Sequence, residues 1–330
     1  MTQTNTQTQP VSPDAADSNK PLVYVNGRMV PKHQATVSVF DHGLLYGDGI
    51  FEGIRVYKGK IFKAAQHLDR LYECAERIYL TIPVGRDEIL EIMRRCITAN
   101  EIVDGYIRLL VTRGEGSLGL NPYHCPQAGI VCIADQIMLF QPEMYEKGMR
   151  VVLAHRPKTP VACLDPRIKS LNYLNNIMAK LEAIHLTRSL NITTPSDQLL
   201  EVIMLNTQGK VTEGSGDNIF LVKNGTLTTP PVDAGILEGV TRRFVKDVLC
   251  PALGYECVER EFEIEELYDA DEVFLTGTAA EMIAVREVLE HDGNGSITAT
   301  HTISAGEGPI TNALRTKFRE IISGDDVPED

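Results

Sequence analysis

The stretch that most constrains how this chain can fold is Arg167-Ile168-Lys169-Ser170-Leu171-Asn172-Tyr173, which sets an amine and a phenol four residues apart. Leu171, Leu174, Met178, Leu181 and Ile184 follow at helical spacing, so the amine is tied to a packed helix in which Met178 reads as core. If that helix already includes Lys169, the ammonium and the Tyr173 hydroxyl share one face within a turn of each other. A primary amine can condense with an aldehyde when desolvation or neighbouring cations lower its pKa. By residue type alone a lysine is a solvated surface group, so the context must decide.

That context lies downstream in Val211-Thr212-Glu213-Gly214-Ser215-Gly216-Asp217-Asn218-Ile219-Phe220. Glu213 closes a β-type run, and the glycines after it let the backbone turn and carry a carboxylate close to a bound group. Without that turn it would be an ordinary surface strand residue. Two more glycine-bearing turns follow, Leu237-Glu238-Gly239-Val240-Thr241-Arg242 before a helical run and Thr276-Gly277-Thr278-Ala279-Ala280-Glu281 after a strand. Both offer backbone N–H groups and a threonine hydroxyl to a phosphate. An amine, a carboxylate and two anion cradles are the set that pyridoxal 5'-phosphate requires.

In order along the chain, Phe51-Glu52-Gly53-Ile54-Arg55, His67-Leu68-Asp69-Arg70-Leu71, Lys169, Thr212-Glu213-Gly214, Gly239-Val240-Thr241-Arg242 and Gly277-Thr278-Ala279-Ala280-Glu281 resemble the class IV, fold-type IV aminotransferases. The likeness spans roughly residues 22 to 320 and is greatest to the branched-chain amino-acid aminotransferases. It implies a two-domain α/β (α+β) fold, with a small N-terminal α/β domain and a larger C-terminal pseudo-barrel that binds pyridoxal phosphate. It also implies that Lys169 is the catalytic amine joined to the cofactor, Glu213 meets the ring nitrogen and Tyr173 the ring oxygen. Arg70, Gly239, Val240, Thr241 and Thr278 would hold the phosphate, helped by the N–H groups of Val240 and Ala279. Phe51, Tyr106, Arg108, Thr278 and Ala279 would meet the substrate, Arg108 reaching the distal carboxylate of glutamate. The implied reaction is transamination between L-leucine, L-isoleucine or L-valine and 2-oxoglutarate, in a homodimer that forms its site between subunits, with no metal.

The Ile-Lys-Ser-Leu-Asn run is also similar to that of the D-amino-acid aminotransferases, since the branched-chain enzymes have one more residue between lysine and tyrosine. The D-specific enzymes carry leucine in place of Tyr173, tyrosine in place of Leu44, and an Arg-x-His pair where this chain reads Gly114 to Leu120. An (R)-amine transaminase and an aminodeoxychorismate lyase are the further alternatives within the same fold.

Read from the residues alone, 330 residues with 43% hydrophobic content exceed a single usual core, so two domains are expected. The boundaries fall at a disordered tail over 1–20, a first domain over 21–135, a linker over 136–147, a second domain over 148–323, and an acidic, disordered tail over 324–330. A net charge of −13 excludes a nucleic-acid partner. No run reaches the length of a membrane span, and the first twenty residues lack a signal peptide's apolar centre. Seven cysteines without a Cys-x-x-Cys pair read as buried free thiols, Cys163 among them, in a reducing, cytoplasmic setting.

Leu68, Leu71, Ala75 and Ile78 mark a helix over 66–80, and Ile89, Leu90, Ile92 and Met93 a second over 87–99. Arg70, beside the first stripe, is either an exposed flank or a phosphate ligand. Alternation over 105–113 puts Tyr106 and Arg108 on one face of a strand, which is either solvent-facing or the wall of a polar cavity. The three-glycine stretch Asp41 to Gly49 reads as a loop whose His42 is structural rather than a base. Helices are expected over 241–249 and 309–322.

Overall fold

The computed structural model describes residues 21–137, 140–324 and 327–329. The expected tail over 1–20 lies outside those residues. The Asn26-Gly27 pair, both at positive φ (45° and 90°), turns Leu22–Val25 back onto Arg28–Pro31, the backbone that a tight hairpin demands. These two strands open a six-stranded sheet ordered Arg28–Pro31, Leu22–Val25, Gly129–Asp135, Gly105–Thr112, Gly49–Tyr57, Lys60–Ile61, antiparallel throughout.

Helices Ala64–Arg77 and Arg86–Ala99 cover one face of this sheet. Leu68, Leu71, Ile89 and Met93 pack there against Ile54, Ile107, Leu109 and Val111 in one buried core. Cross-strand partners share a face, so the pairings Phe51 with Leu110, Gly53 with Arg108 and Arg55 with Tyr106 put those side chains on the other face. Glu52, opposite Leu109, points under the helices instead.

The second sheet has nine strands and is mixed, with parallel pairs where Met149–Leu153 lies between Glu281–His291 and Glu201–Leu205. Helix Leu174–Ser189 packs on it through Ala179, Ala183 and Leu186. Its expected stripe fails at this point, for Leu174 and Met178 are exposed. Val240–Phe244 continues through a π turn, Val245–Leu249, into Cys250–Leu253. Pro251 has no N–H for the regular i−4 bond, and the widened turn directly ahead of it accommodates that loss.

Two expectations are corrected by the backbone. The three-glycine stretch contains a short helix, His42–Tyr46, because the Asp41 carboxylate caps Gly43 N and Gly47 closes it at φ 70°. Within the acidic terminus, Pro328 O and Glu329 O accept from Lys63 N and Ala65 N at the start of helix Ala64–Arg77, and Val327 is buried. Residues 327–329 are therefore docked rather than disordered. In the stretch expected as a linker, Pro142–Lys147 is helical with Met144 buried.

The sheets meet through main-chain bonds. Phe51 N donates to Lys169 O at 2.9 Å and Leu171 N to Gly49 O at 2.8 Å, closing an antiparallel bridge between Ile50 and Ser170. Farther on, buried Glu272 opens the strand that leads to the Gly277 turn and accepts from Ile310 N, Thr311 N and Thr311 Oγ1 at 2.7–2.9 Å. It thereby caps the closing helix Pro309–Ser323.

Glu272→Ala strands three buried donors and should cost about 2–3 kcal/mol. In thermal unfolding it should melt several degrees lower; an unchanged Tm would show that the cap is not what joins helix to strand.

Candidate active site

Lys169 lies on the extended bridging segment, not in a helix, and Tyr173 is the N-cap of Leu174–Ser189. The pair still meets, with Lys169 Nζ 3.3 Å from Tyr173 Oη. The ammonium sits 4.6 Å from the Phe51 ring centre, and Phe51 and Tyr173 pack edge to face at 5.1 Å. Burial, with Arg70 and Arg108 adding positive charge, lowers the Lys169 pKa to about 8 against the pull of Glu52 and Glu213. The Tyr173 hydroxyl is pushed well up, by burial and then by Glu213. This amine is about one-tenth neutral at pH 7, far more than an exposed lysine, and lies beside a phenol that keeps its proton.

Arg70 is buried, which removes the exposed-flank alternative. Its Nε and Nη2 grip Glu52 at 2.7–2.8 Å while Nη1 donates to Glu238 O at 2.9 Å. His67 Nδ1 lies 2.8 Å from the same carboxylate. Burial alone would raise Glu52, yet Arg70 and His67 outweigh it and hold the carboxyl well below its usual range. Three of the five guanidinium N–H groups are engaged among the described residues, and the bond to Glu238 O sets Arg70 against the residue before Gly239. Gly239 starts the helix there, and a Cβ on it would collide with Asn218 Oδ1.

Glu213 is buried between Lys158 Nζ, 2.5 Å from Oε1, and two donors to Oε2, Asn218 Nδ2 at 2.9 Å and Leu237 N at 3.0 Å. Three donors on its two oxygens anchor this carboxylate in place. It adjoins Tyr173 and Asn176 in a narrow cleft next to a cavity of about 280 Å³.

That cavity is lined by Phe51, Tyr106, Arg108, Lys169, Tyr173, Thr278 and Ala279, with Lys180, Glu201 and Asp217. The structure thus brings together Lys169, Tyr173, Thr278 and the expected substrate contacts around one space. Glu213 lines the adjoining cleft, whereas Arg70, Gly239, Val240 and Thr241 line neither space. The Tyr106–Arg108 face is a cavity wall: Arg108 Nη2 donates to Tyr106 Oη at 3.2 Å and its guanidinium lies 4.7 Å from the Phe51 ring centre. Pyridoxal phosphate fits these residues, for they offer an amine of lowered pKa, a carboxylate anchored by three donors, a buried guanidinium and a helix start without a Cβ.

Several contributors escaped the sequence reading. Glu52 carried a signal, being the one acidic residue in the strand Gly49–Tyr57. Lys158 and Asn218 carried none, since each joins Glu213 only through the fold. His42 is buried with Nε2 2.9 Å from Ser117 O, in keeping with a structural role. Cys163 is exposed, contrary to expectation, because it ends the Pro160 turn rather than entering a core. All seven cysteines are free, and no helix among the described residues is long and apolar enough to cross a membrane.

Residues 49–288 match the family model described as amino-transferase class IV. A Methanocaldococcus jannaschii protein, provisionally named a branched-chain-amino-acid aminotransferase, is 42% identical over 91% of this chain and 96% of its own length. The aminodeoxychorismate lyase of Bacillus subtilis is 34% identical over 91% and 94%. Among solved structures, a T.th. branched-chain amino acid aminotransferase complexed with N-(5'-phosphopyridoxyl)-L-glutamate superposes with a TM-score of 0.80 at 31% identity, covering 92% of this chain and 95% of that one.

In the cofactor-free protein, Lys169 should acetylate with a midpoint near pH 8, against about 10.4 for exposed lysines; mass spectrometry across a pH series reads this, and a midpoint near 10 would contradict it. A Cβ on Gly53 would collide with the Tyr106 hydroxyl. Gly53→Ala should therefore raise KM about tenfold or more by displacing Tyr106 and Arg108, and unchanged steady-state kinetics would exclude a tight packing there.

Proposed function

The chain belongs to the class IV aminotransferases, enzymes that use pyridoxal phosphate, and from that premise we propose that it exchanges the amino group of an L-branched-chain amino acid for the oxo group of 2-oxoglutarate. The observation that carries this reading is one cavity in which Lys169 shares space with the apolar ring of Phe51 and the guanidinium of Arg108. An aliphatic side chain is received by Phe51 and Tyr173. The distal carboxylate of glutamate is received by Arg108, whose fork suits it.

The cofactor, when bound, supplies an electron sink for the charge left on the substrate α-carbon. Lys169 holds and returns the proton at that carbon, and a pKa of about 8 lets it act as both base and acid near neutral pH. Glu213, anchored by Lys158, Asn218 and Leu237 N, would accept from the ring nitrogen. Arg70, with Gly239, Val240, Thr241 and Thr278, holds the phosphate. Tyr173 keeps its proton and donates to the ring oxygen. Phe51 and Tyr106 close the cavity against water.

The L-specific reading over the D-specific one rests on Tyr173 lining the cavity, and on Leu44 standing exposed outside it. Exposed Val39, Leu118, Leu120, Tyr123 and Leu174 make an apolar surface that fits a homodimer. The free thiols fit a reducing, cytoplasmic setting.

With 2-oxoglutarate as acceptor, the purified protein should consume L-leucine and leave D-alanine untouched; turnover of D-alanine alone would overturn the reading. Pyruvate released from aminodeoxychorismate without any amino acceptor would instead make it a lyase. Arg108→Met should raise KM for 2-oxoglutarate by about tenfold or more while shifting that for L-leucine far less, and an equal rise for both would remove the proposed division of labour.

A further inference from the structure

The cavity also holds two carboxyls that the proposed chemistry does not use, Glu201 and Asp217. They differ in their partners. Glu201 Oε1 accepts from Val202 N at 2.9 Å and Ser215 N at 2.7 Å, and Oε2 pairs with Lys180 Nζ at 3.3 Å. Asp217 is only 7% exposed, yet its carboxyl makes no hydrogen bond with any described residue. Its Oδ1 lies so close against Gly277 that a Cβ there would collide with it, at the head of the turn carrying Thr278 and Ala279.

A carboxyl that is largely enclosed, meets the cavity through its oxygens and has no donor among the described residues is in a setting that disfavours charge. Burial first, then the negative charge of Glu201, pushes Asp217 up to about 7, with Glu213 in the same sense and Lys180 and Lys169 opposing. The Tyr145 hydroxyl, donating to Ala280 O at 3.1 Å, also feels its charge, burial and Glu281 keeping that phenol protonated, and Arg108, Tyr106 and Tyr173 line the same cavity. Every amino acid or 2-oxo acid that enters brings an α-carboxylate. Asp217 lines the same cavity as Lys169, so its charge faces the space that carboxylate must enter.

We propose that Asp217 is a positioning residue that works as the neutral acid: uncharged, it backs the Gly277–Thr278–Ala279 turn, and ionised, it repels the substrate carboxylate and closes the cavity to substrate. The proposal rests on the transamination reading above. The sign follows from the geometry. Raising the pH through the Asp217 titration places a second negative charge beside the incoming one, so substrate capture falls as pH rises.

The test is the ratio of kcat/KM for L-leucine of Asp217→Asn to that of the wild-type holoenzyme between pH 6 and 9. Asparagine cannot ionise, titration of the amino donor cancels in the ratio, and any shift the lost charge gives Lys169 is read separately from the acetylation midpoint of each protein. The ratio should climb about tenfold per pH unit above 7. A ratio flat with pH overturns the proposal, whatever the absolute rates. Independently, carbon-13 NMR of the wild-type holoenzyme carrying carboxyl-labelled aspartate should show one aspartate titrating near 7, which is missing from the Asp217→Asn spectrum. If the asparagine variant does not fold, Asp217→Ser serves as the reference. Titration of every aspartate near its ordinary value of about 4 would also overturn the proposal. A protein with no transaminase activity but with that titrating aspartate would contradict the proposed function rather than the state of Asp217.

Discussion

Two main-chain hydrogen bonds between Gly49–Phe51 and Lys169–Leu171 hold this site together. They make the lysine segment an added strand at the edge of the first sheet, although it belongs by sequence to the second half of the chain. Phe51, Tyr106 and Arg108 then face Lys169, because they share the sheet face that the two helices leave uncovered. Lys169 N also donates to Cys74 Sγ at 3.3 Å, which ties the segment to the helix that bears Arg70. Main-chain pairing fixes an extended lysine more tightly than an exposed helix start would, and preorganisation of the reacting amine is what catalysis needs.

Around that bridge the buried charges alternate. Glu52 is held by Arg70 and His67, Glu213 by Lys158, and Glu201 by Lys180. Breaking one buried pair by removing one partner leaves an uncompensated charge in a low dielectric, so these residues act as a set. The lowered amine of Lys169 is a consequence. Its cationic neighbours Arg70 and Arg108, together with burial, outweigh the carboxylates within reach.

Much of this was legible in the sequence where a period or a turn encodes it. The helices Ala64–Arg77, Arg86–Ala99 and Pro309–Ser323 and the strand Gly105–Thr112 follow their apolar spacing. The alternation of that strand already set Tyr106 and Arg108 against Ile107 and Leu109. Helix Leu174–Ser189 misled because it is apolar on several sides, and small residues, Ala179 and Ala183, take the core while Leu174 and Met178 stay out. The loop at Asp41 hid a helix, since a five-residue helix is made by its caps rather than by a stripe. Lys158 could not be found, for nothing in its neighbourhood distinguishes it until the fold sets it against Glu213.

Two lysines lie near the same carboxylate, Lys158 paired to it and Lys169 within its electrostatic reach, and only the second has the setting of an aldehyde-binding amine. Reducing the pyridoxal-phosphate-loaded protein with borohydride and mapping the adduct by peptide mass spectrometry separates them directly. A single stable adduct on Lys169 is predicted; an adduct on Lys158 or Lys180, or none, would contradict the placement of the chemistry on the bridging strand.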